Sequence, residues 1–348
     1  MGQTLNSSAI RGFRKLCFIT LAAVYLLILV GGIVRTTGSG MGCPDWPKCF
    51  GHWIPPATAA QLPENYKEVY ASIREKKNLK FASYLKVLGL GSTADKIINS
   101  QSILAETDFN VTKAWTEYGN RLIGVVVGFF IVGLFLQSIK FRMPRPPIFF
   151  YSLATLMAVL FQGWFGSIVV STNLTTWTVT VHVFLALLIV GLLVYLIYLS
   201  EPVRTDLHPR QPIRWILVAC IIALLVQVFL GTQVRESLDV IATQLAQRSQ
   251  WIGALGITFI IHRSFSLIVL LLHVVLVLKF RKTLGLNTLP VALIILILGT
   301  LLTGLGMAYF AVPEVIQPVH LVLATGAFGV QLLLFFRLNP DRKVAFVN

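Results

Sequence analysis

The sequence predicts an all-α integral membrane protein: eight transmembrane helices arranged as two pseudo-symmetric four-helix bundles. Three observations predict it. First, 56% of the 348 residues are hydrophobic and 12% charged, and a mean hydropathy of +0.78 lies far above that of a water-soluble domain. Second, apolar runs able to cross a hydrocarbon layer of roughly 30 Å begin near Leu16, Leu122, Ile148, Val179, Ile213, Phe259, Leu289 and Val319. Third, short polar patterns recur between the first four runs and the last four.

The first run continues through Leu21 to Val34 with no small-residue cleavage site before a Gly-rich turn. It is therefore expected to remain as a helix rather than leave as a signal peptide. A long segment from Thr36 to about Lys113 follows, opening with TGSGMGCPDWPKCF, in which Cys43 and Cys49 stand close together. Basic residues group at Arg11, Arg14 and Lys15, at Lys140, Arg142 and Arg145, at Arg204, Arg210 and Arg214, at Lys279, Arg281 and Lys282, and at Arg337, Arg342 and Lys343. These groups fall at alternate ends of the helices, so the positive-inside rule places both termini in the cytoplasm and the cysteine segment outside. A disulfide is chemically permitted on that oxidising face, whereas Cys17 and Cys220 read as buried thiols within helices.

The formal net charge of +15 follows largely from this topological bias, so a nucleic-acid partner is not expected. The remaining basic residues, among them Arg74, Lys76, Lys77 and Lys80, fall in the outer segment, which is expected to form a solvated cap or lie against lipid headgroups. In the second half the outer segment is shorter, from Glu236 to about Gly256. Its Leu238, Ile241, Ala242 and Leu245 are spaced like one face of a surface helix.

The halves echo one another. Gly31-Gly-Ile-Val-Arg35 closes the first run and Gly231-Thr-Gln-Val-Arg235 the fifth; Asn120-Arg121 in the second matches His262-Arg263 in the sixth. Gly166 precedes His182 by the same 16 positions that separate Gly304 from His320. Residues 1–200 and 201–348 are accordingly expected to form two four-helix halves.

His182, His262 and His320 lie near the outer ends of the fourth, sixth and eighth helices. Ionisable residues in membrane spans are uncommon and usually face the bundle interior. His262 and His320 can approach opposite faces of one planar macrocycle, as heme is held between the helices of a bundle; a polar interhelical contact is the plain alternative, and zinc lacks further ligands at that depth. The first half offers Asn120 and His182. Asn is a poor iron ligand, so that pocket supplies at most one strong axial bond. Glu117, one turn outward from Asn120 on the same face, reads either as a carboxylate at the pocket edge or as the salt-bridge partner of Arg121. Arg35, Arg121, Arg235 and Arg263 are suited to bind the two propionates of a heme, with snorkelling to lipid phosphate as the alternative. His52 and His208 have no partner at ligand spacing, and His273 is about three turns deeper than His262, too far to share one iron.

GGIVRTTGSGMGCPDWPKCFGHWIPP (Gly31 to Pro56), WTEYGNRLIG (Trp115 to Gly124), LGTQVRE (Leu230 to Glu236), IHRSFS (Ile261 to Ser266) and QPVHLVLA (Gln317 to Ala324) together resemble the heme A synthases and the related mitochondrial cytochrome oxidase assembly proteins, over nearly the whole chain. The resemblance implies a membrane oxidoreductase that oxidises a methyl group of heme O stepwise to the formyl group of heme A for terminal oxidase biogenesis. It implies heme b iron on His262 and His320, and a substrate heme O pocket containing His182, with Glu117 as the functional carboxylate. It also implies an outer-loop cysteine pair at Cys43 and Cys49, structural or redox-active. Many relatives carry His where this chain has Asn120. Expected partners are heme O, a heme O synthase, terminal oxidase assembly partners and an electron-transfer partner of unassigned identity, and a homo-oligomer is left open. No Arg-rich, Ser-rich transit segment is evident, so a bacterial inner membrane is expected ahead of a mitochondrial one. The rivals are a non-catalytic heme carrier, a diheme electron-transfer cytochrome and a solute transporter.

Overall fold

A computed structural model describes residues 7–201, 211–284 and 288–338. Its helices are, in chain order, α1 (Ser7–Thr36), α2 (Tyr66–Val87), α3 (Gly91–Asn99), α4 (Gln101–Leu104), α5 (Val111–Ser138), α6 (Pro146–Ser171), α7 (Thr176–Leu199), α8 (Gln211–Gln244), α9 (Trp251–Ala254), α10 (Ile257–Leu284), α11 (Thr288–Tyr309) and α12 (Ile316–Arg337). Among the described residues eight of them, α1, α5, α6, α7, α8, α10, α11 and α12, are long and apolar enough to cross a membrane. The protein is a multi-pass membrane protein. His208, Arg204, Arg210, Arg342 and Lys343 lie outside the described residues.

Local chemistry explains where the spans start. Asn110 caps α5, its side-chain oxygen accepting from the backbone N–H of Lys113 at 3.0 Å. Pro146 and Pro147 open α6, where the missing N–H groups have no helical acceptor to lose. The α6–α7 turn uses Asn173 and Leu174 with φ of 51° and 57°, and the α11–α12 turn uses Ala311 and Val312 with φ of 56° and 54°. Each left-handed pair thus precedes a histidine, His182 or His320, at the same offset in sequence.

Packing follows chain order twice over. α1 packs on α5, α5 on α6, α6 on α7 and α7 back on α1; α8 packs on α10, α10 on α11, α11 on α12 and α12 back on α8. The two rings meet where α12 touches α1 and α7, and where α7 touches α8. α7 sits at this junction with Leu193 through Leu199 all buried, as expected for turns that are apolar all round. α11 instead turns Ile295 and Leu302 outward. At the inner end Glu201, almost wholly buried, pairs with Arg14 of α1 at 3.5 Å and with Arg337 of α12.

The expected end of the outer segment near Lys113 agrees with the start of α5 at Val111. Two expectations need correction. The segment expected as a separate surface helix is the continuation of α8 to Gln244, since nothing breaks the helix after Arg235 and Leu238 and Ile241 find buried positions. The outer segment is a cap, but part of it is buried rather than solvated. Phe81, Ala82 and Leu85 of α2 join Ala94 and Ile97 of α3 and Phe165, Ile168 and Val169 of α6 in one apolar cluster. Full burial of such a large apolar side chain contributes about 1.5–3 kcal/mol. Asn78 Nδ2 ties the cap to the carbonyl of Ser171 at 2.8 Å. Arg74, counted above among solvated charges, is 1% exposed; it pairs with Glu106 at 2.7 Å and donates to the carbonyls of Ile103 and Ala105. Burial lowers the Arg74 pKa and raises that of Glu106, and the pairing opposes both shifts.

Candidate functional site

Four polar side chains stand in the spans against glycines of the preceding span. A Cβ added to Gly231 of α8 would lie 3.3 Å from Cε1 of His262 on α10, and one on Gly304 of α11 would lie 3.4 Å from Cε1 of His320 on α12. In the first half the same relation links Gly166 of α6 to Cε1 of His182 on α7, at 3.3 Å, and Gly31 of α1 to Oδ1 of Asn120 on α5, at 3.9 Å. Glycine lets each ring lie directly against the neighbouring backbone, where a larger residue would push it away.

His262 and His320 line one cavity of about 300 Å³. Arg35, Arg235 and Arg263 line it too, so it collects both the imidazoles and three of the four arginines singled out by sequence. It reaches across the junction, since Arg35 belongs to α1 and Val179 and Val183 to α7. A hydroxyl contact of 2.9 Å from Thr180 to Thr232 joins α7 to α8 beside it.

The donor set can be tested against a planar iron cofactor with acidic side arms. Thr303 Oγ1 donates to the carbonyl of Gly299 at 2.8 Å and stands 3.0 Å from Nδ1 of His320. Its lone pair can accept the Nδ1 proton, which leaves Nε2 of His320 as the free donor. Nδ1 of His262 is buried without a partner. Arg35 Nε and Nη1 and Arg235 Nε are likewise buried and unpaired, an arrangement suited to a ligand carboxylate. The residues therefore fit such a group. Among the described residues no three His, Cys, Asp or Glu side chains converge on a point, so the histidine pair suits a macrocycle better than a bare ion.

One acidic residue escaped the sequence reading. Asp239, one turn beyond Arg235, bridges the two arginines: its Oδ2 is 2.5 Å from Arg35 Nη2 and its Oδ1 is 2.8 Å from Arg235 Nη2. Arg235 also donates to Gln317 Oε1 and to the carbonyl of Arg35. Arg263 stands over the ring of Phe259 at 5.9 Å.

The first-half residues are gathered differently. Glu117 Oε2 accepts from the backbone N–H of Cys43 at 2.8 Å and its Oε1 lies 2.5 Å from Arg121 Nη2. Arg121 also donates to the carbonyls of Asp45, Lys48 and Cys43, at 2.7, 2.8 and 3.1 Å. These bonds fasten the loop to the outer end of α5. Cys43 and Cys49 form a disulfide, and inside that loop the Asp45 carboxylate accepts from the N–H groups of Phe50 and Gly51 at 2.6 and 2.9 Å. Gly42 makes the approach feasible, because a Cβ there would collide with the backbone of Lys113 and Ala114. Lys77, on the cap helix, has its pKa lowered by burial and by the nearby charge of Arg121. Nδ1 of His182 and Oδ1 of Asn120 are buried without partners.

His52 and His273 lie outside both groups. His52 is exposed and pairs with Cys49 through the backbone. His273 is fully buried, with Nδ1 2.6 Å from the carbonyl of Val269 and Nε2 2.7 Å from Gln331 Nε2, so it serves as a core hydrogen-bonding residue. Sequence reasoning also missed Gln162 and Gln227, whose amides donate to the backbone carbonyls of His182 and His262, each at 3.0 Å. The signal was present, since each stands four positions before a glycine that backs a histidine.

Comparison with known proteins bears on these groups together. A family model described as Cytochrome oxidase assembly protein matches residues 14–86 and 93–332. A heme A synthase of Shewanella oneidensis is 26% identical over 188 residues, which cover 53% of this chain and 45% of the relative. One from Rhizobium etli is 26% identical over 232 residues, 64% of this chain and 56% of the relative. One from Geobacillus kaustophilus is 22% identical over 190 residues, 55% and 42%. The chain thus spans about half the length of these curated relatives.

Proposed function

This chain belongs to the COX15-CtaA family of cytochrome oxidase assembly proteins, and on that premise we propose that it is a membrane-bound heme A synthase. Its substrate is heme O, and the reaction takes one methyl substituent through the alcohol to the aldehyde level. Residues 1–200 form the substrate half and residues 201–348 the cofactor half. The observation that carries this reading is the shared cavity, in which two glycine-backed histidines face the same space as arginines with unpaired buried nitrogens.

Around the shared cavity His262 and His320 would hold the iron of heme b, while Arg35 of α1, Arg235 and Arg263 would receive its propionates. Heme b supplies one-electron transfer when bound. The protein's part is to orient and to seal. Thr303 presents Nε2 of His320, and the glycines set the depth of each ring. In the substrate half His182 would bind the substrate iron and Asn120, with its unpaired amide oxygen, would contribute to the same site, while Glu117 holds Arg121 and the disulfide loop at the outer end of α5. Glu117 is assigned as the carboxylate on which turnover depends. The setting is a bacterial inner membrane with both termini cytoplasmic, and the partners are the enzyme that makes heme O and the oxidase that receives heme A.

One observation favours a second reading. Both oxygens of Glu117 are committed to the loop and to Arg121, as in a purely structural clamp, and a heme carrier would need no more than that. Mass spectrometry of heme extracted after expression in cells that make heme O decides between them. Heme A formed only with the intact protein, and reduced on the order of 100-fold by Glu117→Gln, is the expected result. Heme O and heme b bound at normal levels without hydroxylated or formyl product, beside an active relative in the same cells, establishes the carrier.

A further inference from the structure

We propose that Gln162 and Gln227 are matched positioning residues that set the rotation of His182 and His262 about their helices, and with it the plane of each imidazole. Each amide reaches across to the next span, Gln162 from α6 to the His182 carbonyl on α7 and Gln227 from α8 to the His262 carbonyl on α10, with Nε2 3.0 Å from the oxygen. A helix carbonyl already accepts from the N–H four residues later. The second bond therefore adds nothing to the helix itself and instead ties that one turn to its neighbour.

The ring of the same histidine rests against a glycine one turn further along the donor span, Gly166 or Gly231. Backbone and ring of one residue are thus fixed against one helix at two heights. Two contacts at different heights determine both the rotation and the axial position of a helix, which a single contact leaves free.

The other two glycine-backed positions show that this is a chosen device. Four positions before Gly304 stands Thr300, and His320 is instead oriented through its ring, by Thr303 Oγ1 at Nδ1. Four positions before Gly31 stands the apolar Leu27, and its partner is Asn120 rather than a histidine. The amide clamp occurs at the two histidines whose Nδ1 has no partner. Where the ring cannot be held by its own nitrogen, the backbone beneath it is held.

The inference rests on the assignment of His262 and His320 as axial ligands. In a ferric heme with two imidazole ligands the largest electron paramagnetic resonance g-value follows the angle between the two ring planes. His320 keeps its plane through Thr303, so losing the Gln227 bond rotates one plane against a fixed one. The experiment uses the full chain loaded with heme b. Gln227→Leu is expected to shift the largest g-value of the second-half heme while retaining more than half of the wild-type heme, and Gln162→Leu is expected to leave that signal in place. Gln227→Met, which keeps the side-chain length without a donor, repeats the test if the leucine variant is poorly folded.

An unchanged g-value in both Gln227 variants at full heme content overturns the proposal. So does loss of heme from both, because a residue that only orients a ligand leaves the two axial bonds in place. A wild-type spectrum without a low-spin two-imidazole signal would instead defeat the ligand assignment, and is distinguished by appearing before any substitution is made.

Discussion

The two ends of the glycine-backed set differ in what their arginines do. Around the second-half histidines Arg35 of α1 and Arg235 of α8 line a cavity, share one carboxylate, Asp239, and keep buried nitrogens unpaired. In the first half Arg121 spends both terminal nitrogens on three loop carbonyls and Glu117. The same residue type near the end of a span thus keeps free donors in one place and fastens a loop in the other.

The strongest way to break that contrast is to remove a second-half ligand. His320→Ala is expected to lower heme bound per purified protein by tenfold or more, since disturbing even an outer partner of a metal ligand costs about 10–100-fold; an unchanged ratio would place the resident heme elsewhere. The next largest effect is expected from making the first pocket resemble the second. Asn120→His should convert a first-half heme from one strong axial ligand to two, read as a change from high-spin to low-spin absorption with loss of carbon monoxide binding. If the spectrum does not move, Asn120 does not face the iron.

Opening the lid is expected to matter less. Replacing Cys43 and Cys49 by serine frees a loop closed over a sequence separation of 6, for which chain entropy gives about 2 kcal/mol. Limited proteolysis between Pro44 and Pro56 should then accelerate while the second-half spectrum is unchanged. The smallest effect belongs to Asp239→Asn. Removing the bridging carboxylate leaves Arg35 and Arg235 free for a ligand, so heme b affinity measured by titration should rise a few-fold, in keeping with about 0–1 kcal/mol for a half-exposed ion pair. A fall in affinity would mean that Asp239 holds the arginines in place rather than competing for them.

The spans were legible in the sequence because hydrocarbon imposes a length and composition that few residues can evade. His182, His262, His320 and Asn120 were legible for the converse reason, as polar groups standing out in apolar runs. The partners that complete them were harder to see. Gln162, Gln227 and Thr303 are uncharged and unremarkable in composition, and their roles depend on which span lies next to which. Asp239 was hidden because the helix was expected to end at Arg235, so a residue of the same helix was assigned to a separate surface segment. Arg74 shows the complementary failure. Among several lysines it reads as a surface charge, and only the fold of α2 and the stretch around Glu106 turns it inward.

The junction at Glu201 bears on how the chain is made. Its carboxylate lies between Arg14 of the first span and Arg337 of the last, and α1 packs directly on α12. During synthesis the first span must therefore wait in the membrane for a neighbour that emerges more than three hundred residues later. Until then Glu201 has at most one of its two cations, and the face of α1 that α12 covers stands open to lipid. Membrane insertion alone does not complete the first half; it becomes a finished compartment only when the second half has been delivered beside it.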